Sequence, residues 1–441
     1  MIEFKRYTRE YLLISKLLTL VVAMGLVLCG CFSKSNNSNI KEIKKVVYPE
    51  AFAFDDFEML RMIEEENPLD GDFLNALDEF AYRTTSLLLL DVKKNANYSP
   101  LSFYYALALV TSGAVDDTAE ELLSLLGVND IETLSIQCSN LFRLLYRDND
   151  IGKLKIANSL WLDNKVNGKD IEFEEWFINN AVDNFYASLY NVDFSNPNTA
   201  YLMSEWVKNN TRGLIKPEFK PNPKQVVSII NTIYFLDSWV KGFDNNAVTH
   251  DKFYLSDDNT VMVDYMNQLA GTVPVFVGDG FIRASLPMIN GNQMVFILPD
   301  KDVSLSEIFS SSNKLRTVFT SGQMTQSDIK WTLPKFSFNS SFNLLDLLKS
   351  LNVNQPFNNN ANFSGITNHP IFISSVKQET YISVDTEGVE AAAYTKIDCE
   401  ETSVGPIKPQ INIILNRPFI YGIKAANGSL LFIGIVNNPA E

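Results

Sequence analysis

The most informative segment of this chain is residues 385–395, which read Asp385-Thr386-Glu387-Gly388-Val389-Glu390-Ala391-Ala392-Ala393-Tyr394-Thr395. Successive side chains of a β-strand point to opposite faces, and here the two faces differ. One face carries only small, uncharged residues: Val389, Ala391, Ala393 and Thr395. The other carries the charge and the large ring: Glu390, Ala392 and Tyr394. The first face could therefore lie against a packed interior without burying a charge, and Gly388 has backbone freedom for a turn.

Taken alone, three consecutive alanines more often belong to a helix or a linker, because alanine has the highest helix propensity. The neighbouring sequence argues otherwise. A β-rich run, residues 372–384, comes directly before the segment, and two further runs, residues 419–425 and 430–436, follow it. This context favours a segment that is attached to a sheet.

The rest of the chain from about residue 70 mixes helical and strand patterns without an internal repeat or linker. The hydrophobic spacing predicts strands at residues 155–162, 226–235, 261–265, 273–277 and 328–338, and helices at residues 103–112, 172–186 and 198–212. Thr118 and Glu121 have the spacing of a capping box, and Gly127 suits the end of that helix. We expect one α+β unit of about 370 residues.

Composition excludes several classes of function. Hydrophobic residues make up 46% of the 441 residues, which rules out general disorder, and the net charge of −15 argues against a nucleic-acid-binding surface. The sequence has two histidines, His250 and His369, and neither occurs in a motif typical of a catalytic triad. The sequence has no G-x-S-x-G, H-E-x-x-H, G-x-G-x-x-G or P-loop motif. We therefore expect neither a metal nor a cofactor, and no enzymatic activity.

The N-terminus has the pattern of an export signal. Four basic residues precede or enter an apolar run from Leu17 to Leu28, and Gly30-Cys31 follows before the sequence turns polar. This pattern resembles a bacterial lipoprotein signal, with residues 1–30 removed and Cys31 lipidated. The alternative is a retained N-terminal anchor helix. Residues 32 and 33 are Phe and Ser, so no Asp comes directly after Cys31; in lipoprotein signals this favours the outer membrane of the cell envelope, on a periplasmic or surface-exposed face. Residues 31–66 are predicted to form a tether.

Several ordered motifs resemble the serpin family. They are Asn97-Tyr98-Ser99-Pro100-Leu101-Ser102, Trp206-Val207, Asn231-Thr232-Ile233-Tyr234-Phe235 with Trp239, Leu333-Pro334-Lys335-Phe336, the segment 385–395, Arg417-Pro418-Phe419 and Leu431–Pro439. Each motif alone is of moderate specificity, but their order is maintained over about 370 residues. The resemblance implies a serpin domain at residues 67–441, with a large, mainly antiparallel central sheet, two smaller sheets, about eight to nine helices and an exposed reactive-centre loop at about residues 386–410.

The resemblance also implies a mechanism. Serpins trap serine proteases by suicide inhibition, in which the cleaved loop inserts as a new strand of the main sheet while the protease is still bound as an acyl-enzyme. Residues 386–395 would be the hinge of that loop. Asn95, Ser99, Ser102, Asn231, Trp239 and Gln378 match the region where the sheet opens. Two residues depart from the family pattern: Thr386, where an ion-pairing Glu is usual, and Gln378, where many members have His.

The usual family spacing from Gly388 places the cleaved bond between Thr402 and Ser403. A small, branched residue such as Thr402 suits an elastase-like protease, and Val404 is a second site of that kind. Glu400 or Glu401 would instead suit a Glu-specific protease. No basic residue lies between Cys399 and Ile407, which argues against trypsin-like targets. A few additional residues, 405–409, follow the predicted bond and include two prolines.

Two interpretations remain open from the sequence. In the first, the protein is an inhibitory serpin on a lipid tether, a monomer whose partner is a target protease. In the second, it is a non-inhibitory serpin-fold binding module of the cell envelope. The small, uncharged residues on the inward face of the hinge favour the first, because charged or bulky residues there would oppose insertion.

Overall fold

The computed structural model describes residues 41–256, 259–390 and 410–441. These residues form ten α-helices and two short 3-10 turns, at Asn245–Ala247 and Gln355–Phe357. The helices are α1 (Phe57–Glu66), α2 (Gly71–Leu89), α3 (Pro100–Thr111), α4 (Asp116–Leu126), α5 (Ile131–Leu145), α6 (Glu175–Phe185), α7 (Pro197–Asn210), α8 (Leu305–Ile308), α9 (Ser312–Thr320) and α10 (Leu345–Ser350). Among the described residues, no helix is both long and apolar enough to cross a membrane.

Nineteen strands are present in the same residues. They are β1 (Lys41–Glu42), β2 (Ala96–Tyr98), β3 (Arg147–Asp148), β4 (Lys153–Asp163), β5 (Lys165–Val166), β6 (Lys169–Asp170), β7 (Ala187–Val192), β8 (Val227–Ser238), β9 (Thr249–Tyr254), β10 (Thr260–Gly278), β11 (Phe281–Pro287), β12 (Gln293–Pro299), β13 (Thr325–Pro334), β14 (Phe336–Asn343), β15 (Lys377–Val384), β16 (Gly388–Val389), β17 (Gln410–Ile414), β18 (Phe419–Lys424) and β19 (Leu430–Val436).

The main sheet has eight strands in the order β1-β7-β4-β8-β16-β15-β14, with β3 paired to β4. All of its pairings are antiparallel except that between β4 and β7. The two-residue strand β16 lies between the long strands β8 and β15. The predicted α+β architecture with a large, mainly antiparallel sheet is confirmed.

A second sheet runs in the order β17-β13-β10-β11-β12-β18-β19-β2, with β9 paired to β10. The sequence predicted two short strands in this sheet, at residues 261–265 and 273–277. The structure instead has the single strand β10, which is 19 residues long. A bulge between Leu269 and Gly271 interrupts the regular alternation, which explains why the pattern looked like two strands. The strand predicted at residues 328–338 is instead divided at Lys335 between β13 and β14, which belong to different sheets.

Helix α3 is the buried support of the main sheet. All of its residues except Ala106 are buried, as its apolar sequence predicts. Ser99 is its N-cap and accepts a hydrogen bond from the Ser102 backbone N–H at 3.2 Å. This cap fixes the start of α3 directly beneath β8 and β15.

The predicted capping box of α4 is wrong. The helix begins at Asp116, so Thr118 lies within it, and its hydroxyl accepts a hydrogen bond from the Asn362 N–H at 2.9 Å. Glu121 accepts from the backbone N–H groups of Asn354 and Gln355, both at 2.8 Å. The two side chains therefore accept hydrogen bonds from the backbone of a loop more than 200 residues away in the sequence. A local sequence pattern could not indicate such contacts. Gly127 does end the helix, with a left-handed φ of 71°.

The described part of the predicted tether is packed against the domain. Strand β1 pairs with β7 at the edge of the main sheet. The ring of Tyr48 stacks against Phe142, Tyr146 and Tyr186 at centroid distances of 5.8–6.2 Å. The packed chain therefore begins by Lys41 rather than at residue 67. The sequence missed this because isolated anchoring residues such as Tyr48 have no helical or strand period.

Candidate functional site

The hinge enters the main sheet at the end of β8. Gly388 lies opposite Ser238, and Val389 lies opposite Asp237 of β8 and Val384 of β15. The next residue, Glu390, donates its backbone N–H to the Ser383 carbonyl of β15 at 2.8 Å. The first residues of the hinge are therefore hydrogen-bonded as a strand that is antiparallel to both neighbours.

Beyond β16, the strands β8 and β15 are not paired with each other in the described residues. A small cavity of about 20 Å³ lies between them, and its walls include Ser102, Ile229, Asn231, Lys377 and Gln378. Unpaired strand edges present a row of backbone donors and acceptors to any strand that enters. Beyond β16, the facing edges of β8 and β15 therefore have no strand partner among the described residues.

The two faces of the hinge have different surroundings. The Val389 side chain is 3% exposed and belongs to the hydrophobic core. Glu390, the next residue, is half-buried. The remaining hinge residues predicted from the sequence, Ala391, Ala392, Ala393, Tyr394 and Thr395, lie outside the described residues, and so do Thr402, Ser403 and Cys31.

Trp239 holds the base of the hinge. Its indole Nε1 donates to the Asp385 carbonyl at 3.0 Å, and its backbone N–H donates to the Glu387 carbonyl at 3.0 Å. The ring is 2% exposed and packs edge-on against Phe243. The Asp385 carboxylate accepts from the N–H groups of Glu387 and Gly388 at 2.8 and 3.3 Å. These bonds fix the turn that directs Gly388 into the sheet.

Thr386 forms a neutral contact where the family resemblance implies an ion pair. Its hydroxyl donates to Asn245 Oδ1 at 2.8 Å, and its backbone carbonyl accepts from the Phe243 N–H at 2.9 Å. The side chain is buried. A hydroxyl with a hydrogen-bond partner can be buried at much lower cost than an unpaired carboxylate. The polar groups of Thr386 therefore have hydrogen-bond partners at the base of the hinge without an ion pair.

A buried polar cluster connects α3 to the two strands that flank the hinge. Gln378 of β15 bonds to both backbone polar groups of Ser99, and the Ser99 hydroxyl donates to the Leu431 carbonyl at 2.7 Å. The Ser102 hydroxyl donates to Asn231 Oδ1 of β8. The structure therefore brings together four of the predicted residues: Ser99, Ser102, Asn231 and Gln378.

Asn158 is a member of this cluster that the sequence analysis missed. It lies on β4 directly opposite Asn231, whose Nδ2 donates to its Oδ1 at 2.5 Å. Its own Nδ2 donates to the Phe185 carbonyl at 2.9 Å. The signal was present in the sequence, because a lone Asn within the apolar run from residue 156 to residue 162 must find buried partners.

Asn95, which was predicted for the same region, lies elsewhere. Its Oδ1 accepts from the backbone N–H groups of Asn437 and Asn438 at 2.8 and 2.9 Å. It therefore connects the start of β2 to the end of the chain. Asn97 is the residue that reaches the strands: its Oδ1 accepts from the Tyr421 hydroxyl at 2.9 Å, and its carbonyl accepts from the Thr380 hydroxyl of β15 at 2.6 Å.

Asp237, opposite Val389, is a buried carboxyl that the sequence analysis also missed. It accepts hydrogen bonds from the side-chain amides of Asn290 and Asn292 at 2.9 and 2.7 Å. Burial raises the pKa of Asp237 to about 6, and these hydrogen bonds only partly oppose that effect. The carboxyl therefore titrates beside the hinge in the mildly acidic range.

Within the described residues, no three His, Cys, Asp or Glu side chains are grouped so that they could hold a metal ion. The hinge, its two neighbouring strands and the cluster beneath them supply backbone hydrogen bonds and a small apolar interior.

Comparison with known proteins identifies relatives along almost the whole of the packed chain. Residues 75–439 match the family model described as Serpin (serine protease inhibitor). The chain is 30% identical to Serpin-Z7 of Hordeum vulgare over 390 residues, which cover 82% of this chain and 95% of that protein. The match therefore includes the hinge and the strands on both sides of it.

Solved structures have the same architecture. Serpin48 of the insect Tenebrio molitor is 30% identical, with a TM-score of 0.74, over 84% of this chain and 98% of that chain. Tengpin, a thermophilic serpin in its native state, is 25% identical, with a TM-score of 0.73, over 91% of this chain and 100% of that chain.

Proposed function

This chain belongs to the serpin family, and from that premise we propose that it is a suicide inhibitor of serine proteases. The observation that carries the proposal is the position of Gly388 and Val389 between β8 and β15. The residues that follow Val389 on the same face, Ala391, Ala393 and Thr395, are small and uncharged, which supports inhibition over the alternative of a non-inhibitory binding module.

The register of β16 supports insertion of the residues that follow it. Continued beyond Val389, the strand would place Ala391 between Phe235 and Ile382, Ala393 between Ile233 and Thr380, and Thr395 between Asn231 and Gln378. These three residues are small and uncharged, and their neighbours on the two strands are mostly buried. Insertion would therefore bury no charge on the core side of the sheet.

The proposed reaction begins as ordinary proteolysis. The protease serine Oγ attacks the Thr402 carbonyl carbon and forms an ester, and the peptide nitrogen leaves with a proton as the new amino terminus of Ser403. The freed loop then pairs with both β8 and β15, and each new backbone hydrogen bond contributes about 1 kcal/mol. The enzyme remains attached through the ester and is carried along with the inserting strand.

The residues around the proposed bond indicate the class of target. Thr402 is small and branched and suits an elastase-like specificity pocket, and Val404 is an alternative of the same kind. Glu400 and Glu401 would suit a Glu-specific enzyme instead. We propose an elastase-like serine protease as the target.

We also propose that a lipid on Cys31 attaches the inhibitor to the bacterial cell envelope, with the outer membrane as the expected location. The support is the basic and apolar sequence before Gly30-Cys31 and the lack of an Asp after it. Mass spectrometry of the mature protein tests this point: a diacylglyceryl-modified Cys31 at the N-terminus is expected, and an unmodified Cys31 or an uncleaved chain would contradict it.

The inhibitory function is tested with protein that starts at residue 41, mixed with pancreatic or neutrophil elastase. The expected result is a covalent complex that survives boiling in detergent, with a released C-terminal peptide that begins at Ser403. A peptide that begins elsewhere would relocate the bond. Cleavage within the loop by both elastase and a Glu-specific protease, without a complex in either case, would contradict inhibition and favour the binding-module alternative.

A further inference from the structure

A basic segment connects α7 to β8 on the surface of the protein. Five of the six charged residues from position 208 to position 224 are basic, although the whole chain has a net charge of −15. The basic residues are Lys208, Arg212, Lys216, Lys220 and Lys224, and the acidic one is Glu218. The segment is therefore a local positive region on an acidic protein.

The lysines of this segment are exposed while its apolar side chains are packed. Residues 215–222 form neither helix nor strand. Within this stretch Ile215 is buried and Phe219 is half-buried, whereas Lys216 and Lys220 are exposed. The apolar side chains therefore attach the segment to the domain and leave the lysines in contact with solvent.

Three of these lysines are unpaired within the described part of the chain. Among those residues, no ion pair involves Lys216, Lys220 or Lys224. Lys208 differs, because it pairs with Glu205 at 2.9 Å. The three unpaired charges are therefore available to an anion outside the protein.

The segment is hydrogen-bonded to the end of the main sheet at which the N-terminal chain enters. Asn222 donates its backbone N–H to the Phe194 carbonyl at 2.8 Å. Phe194 is three residues beyond Asn191 of β7, which lies opposite Lys41 of β1. The N-terminal chain therefore joins the sheet beside the basic segment.

The length and charge of that chain fit an anchor at the same end. Ten residues separate Lys41 from Cys31, and ten residues span at most about 36 Å when fully extended. Residues 32–45 include four lysines and one glutamate. A lipid on Cys31 would therefore hold this end of the sheet near a membrane and would bring further positive charge with it.

Carboxylates at this end of the sheet have partners of their own. Asp193 accepts from the Ser195 backbone N–H at 2.8 Å. Asp163 accepts from the Lys165 backbone N–H at 2.8 Å, and the Lys165 ammonium pairs with Asp170 at 3.5 Å. Within the described residues, none of these carboxylates forms an ion pair with the basic segment.

We propose that Lys216, Lys220 and Lys224 bind the anionic headgroups of a phospholipid membrane, so that this end of the main sheet faces the surface to which the chain is anchored. The inference rests on the proposed lipid at Cys31, which supplies the membrane. Lysines near an anionic bilayer are attracted to its surface potential. A lipid chain and a basic patch together hold a protein more firmly than either does alone.

This orientation directs the hinge away from the membrane. Val226, just before β8, accepts from the Asp163 N–H, and Asp163 lies opposite Val192 of β7. The strand therefore starts at the anchored end, and its last residue, Ser238, lies opposite Gly388 of the hinge. Its 12 residues span about 40 Å. A protease in solution can then approach the loop from the side opposite the membrane.

Vesicle flotation tests the proposal with protein that starts at residue 32 and has no lipid. Binding is expected to vesicles that contain phosphatidylglycerol and not to vesicles of phosphatidylcholine alone, and it should weaken as the salt concentration rises. The triple variant Lys216→Gln, Lys220→Gln, Lys224→Gln should bind more weakly by about fivefold for each lysine removed. Its unfolding midpoint should match that of the wild type, because the three side chains are exposed and unpaired.

A matched control separates the position of the charge from its amount. The variant Lys252→Gln, Lys301→Gln, Lys330→Gln removes three exposed lysines from other parts of the surface. It should bind the anionic vesicles like the wild type. The proposal is overturned if the wild type does not prefer anionic vesicles, if the first triple variant binds like the wild type, or if the control variant loses as much.

Two further results have separate meanings. If the first triple variant lost binding to inorganic polyphosphate but kept its binding to vesicles, the lysines would belong to a site for a soluble polyanion, and the proposal would be overturned. An unmodified Cys31 would instead count against the proposed lipid and would leave the vesicle result intact.

Discussion

Gln378 binds the backbone of Ser99 through both of its polar atoms: Oε1 accepts from the Ser99 N–H at 3.0 Å, and Nε2 donates to the Ser99 carbonyl at 2.8 Å. This pair connects β15 to the start of the buried helix α3. It lies beneath the gap that a further strand would fill. An amide serves here because it has a donor and an acceptor on one planar group and carries no charge at any pH.

Gln378→His should make this contact sensitive to pH. A neutral imidazole can also donate and accept, so the variant should differ from the wild type by less than about 1.5 kcal/mol at pH 8. An imidazolium cannot accept from Ser99 and would be a buried charge, so the pKa of the introduced imidazole in the folded state would lie below about 6.5, and stability should fall as the pH drops below about 6. Thermal unfolding from pH 5 to pH 8 measures this, and equal wild-type and variant profiles would contradict it.

Val389→Arg should convert the protein from an inhibitor into a substrate. The Val389 side chain is buried in the core, and an unpaired buried charge costs several kcal/mol. Since about 1.4 kcal/mol is a factor of ten, the fraction of elastase trapped should fall at least about tenfold, while loop cleavage continues. Val389→Thr, which keeps the branched shape, is the control and should still trap the enzyme. A detergent-stable complex formed by Val389→Arg at the wild-type yield would contradict insertion of this residue.

Asp237 should contribute a pH dependence to stability. Its folded pKa of about 6 is above its ordinary value of 3.8, so the folded state takes up a proton and is favoured at low pH. This contribution is lost as the pH rises from about 4 to about 6, and its size is at most about 3 kcal/mol. Asp237→Asn removes it. The difference in unfolding midpoint between wild type and variant should shrink or reverse across that range, and a constant difference would show that Asp237 does not titrate there.

Trp239→Phe should weaken the base of the hinge. The substitution keeps the aromatic contact with Phe243 but leaves the Asp385 carbonyl without the indole donor. A buried carbonyl that loses its partner costs about 1–3 kcal/mol. The unfolding midpoint should fall accordingly. Trp176→Phe, at a side chain that is 57% exposed, is the matched control and should unfold like the wild type; equal effects of the two substitutions would argue against a special role of Trp239.

The sequence predicted those features that depend on local composition. The small residues on one face of the hinge and the nearly all-apolar helix α3 are each visible within about ten residues. The family resemblance added Gln378 and Asn231, which are 147 residues apart and could not be joined by any local pattern.

The features that the sequence missed depend on the register between distant strands. Asp237 is a functional candidate only because it lies opposite Val389. Asn95 and Asn97 are two residues apart, and no local pattern indicates that Asn97 is the one that contacts β15. The contacts of Tyr48 were missed because a single buried ring in an irregular segment has no period.

The insertion of the loop between β8 and β15 is tested most directly by thermal unfolding of the protein before and after cleavage of the loop. Roughly ten inserted residues would pair on both sides, so the midpoint of the cleaved protein should rise by more than about 10 °C. Cleaved Val389→Arg should show little or no rise. An unchanged midpoint for the cleaved wild type, or an equal rise in the Val389→Arg variant, would contradict insertion through this hinge.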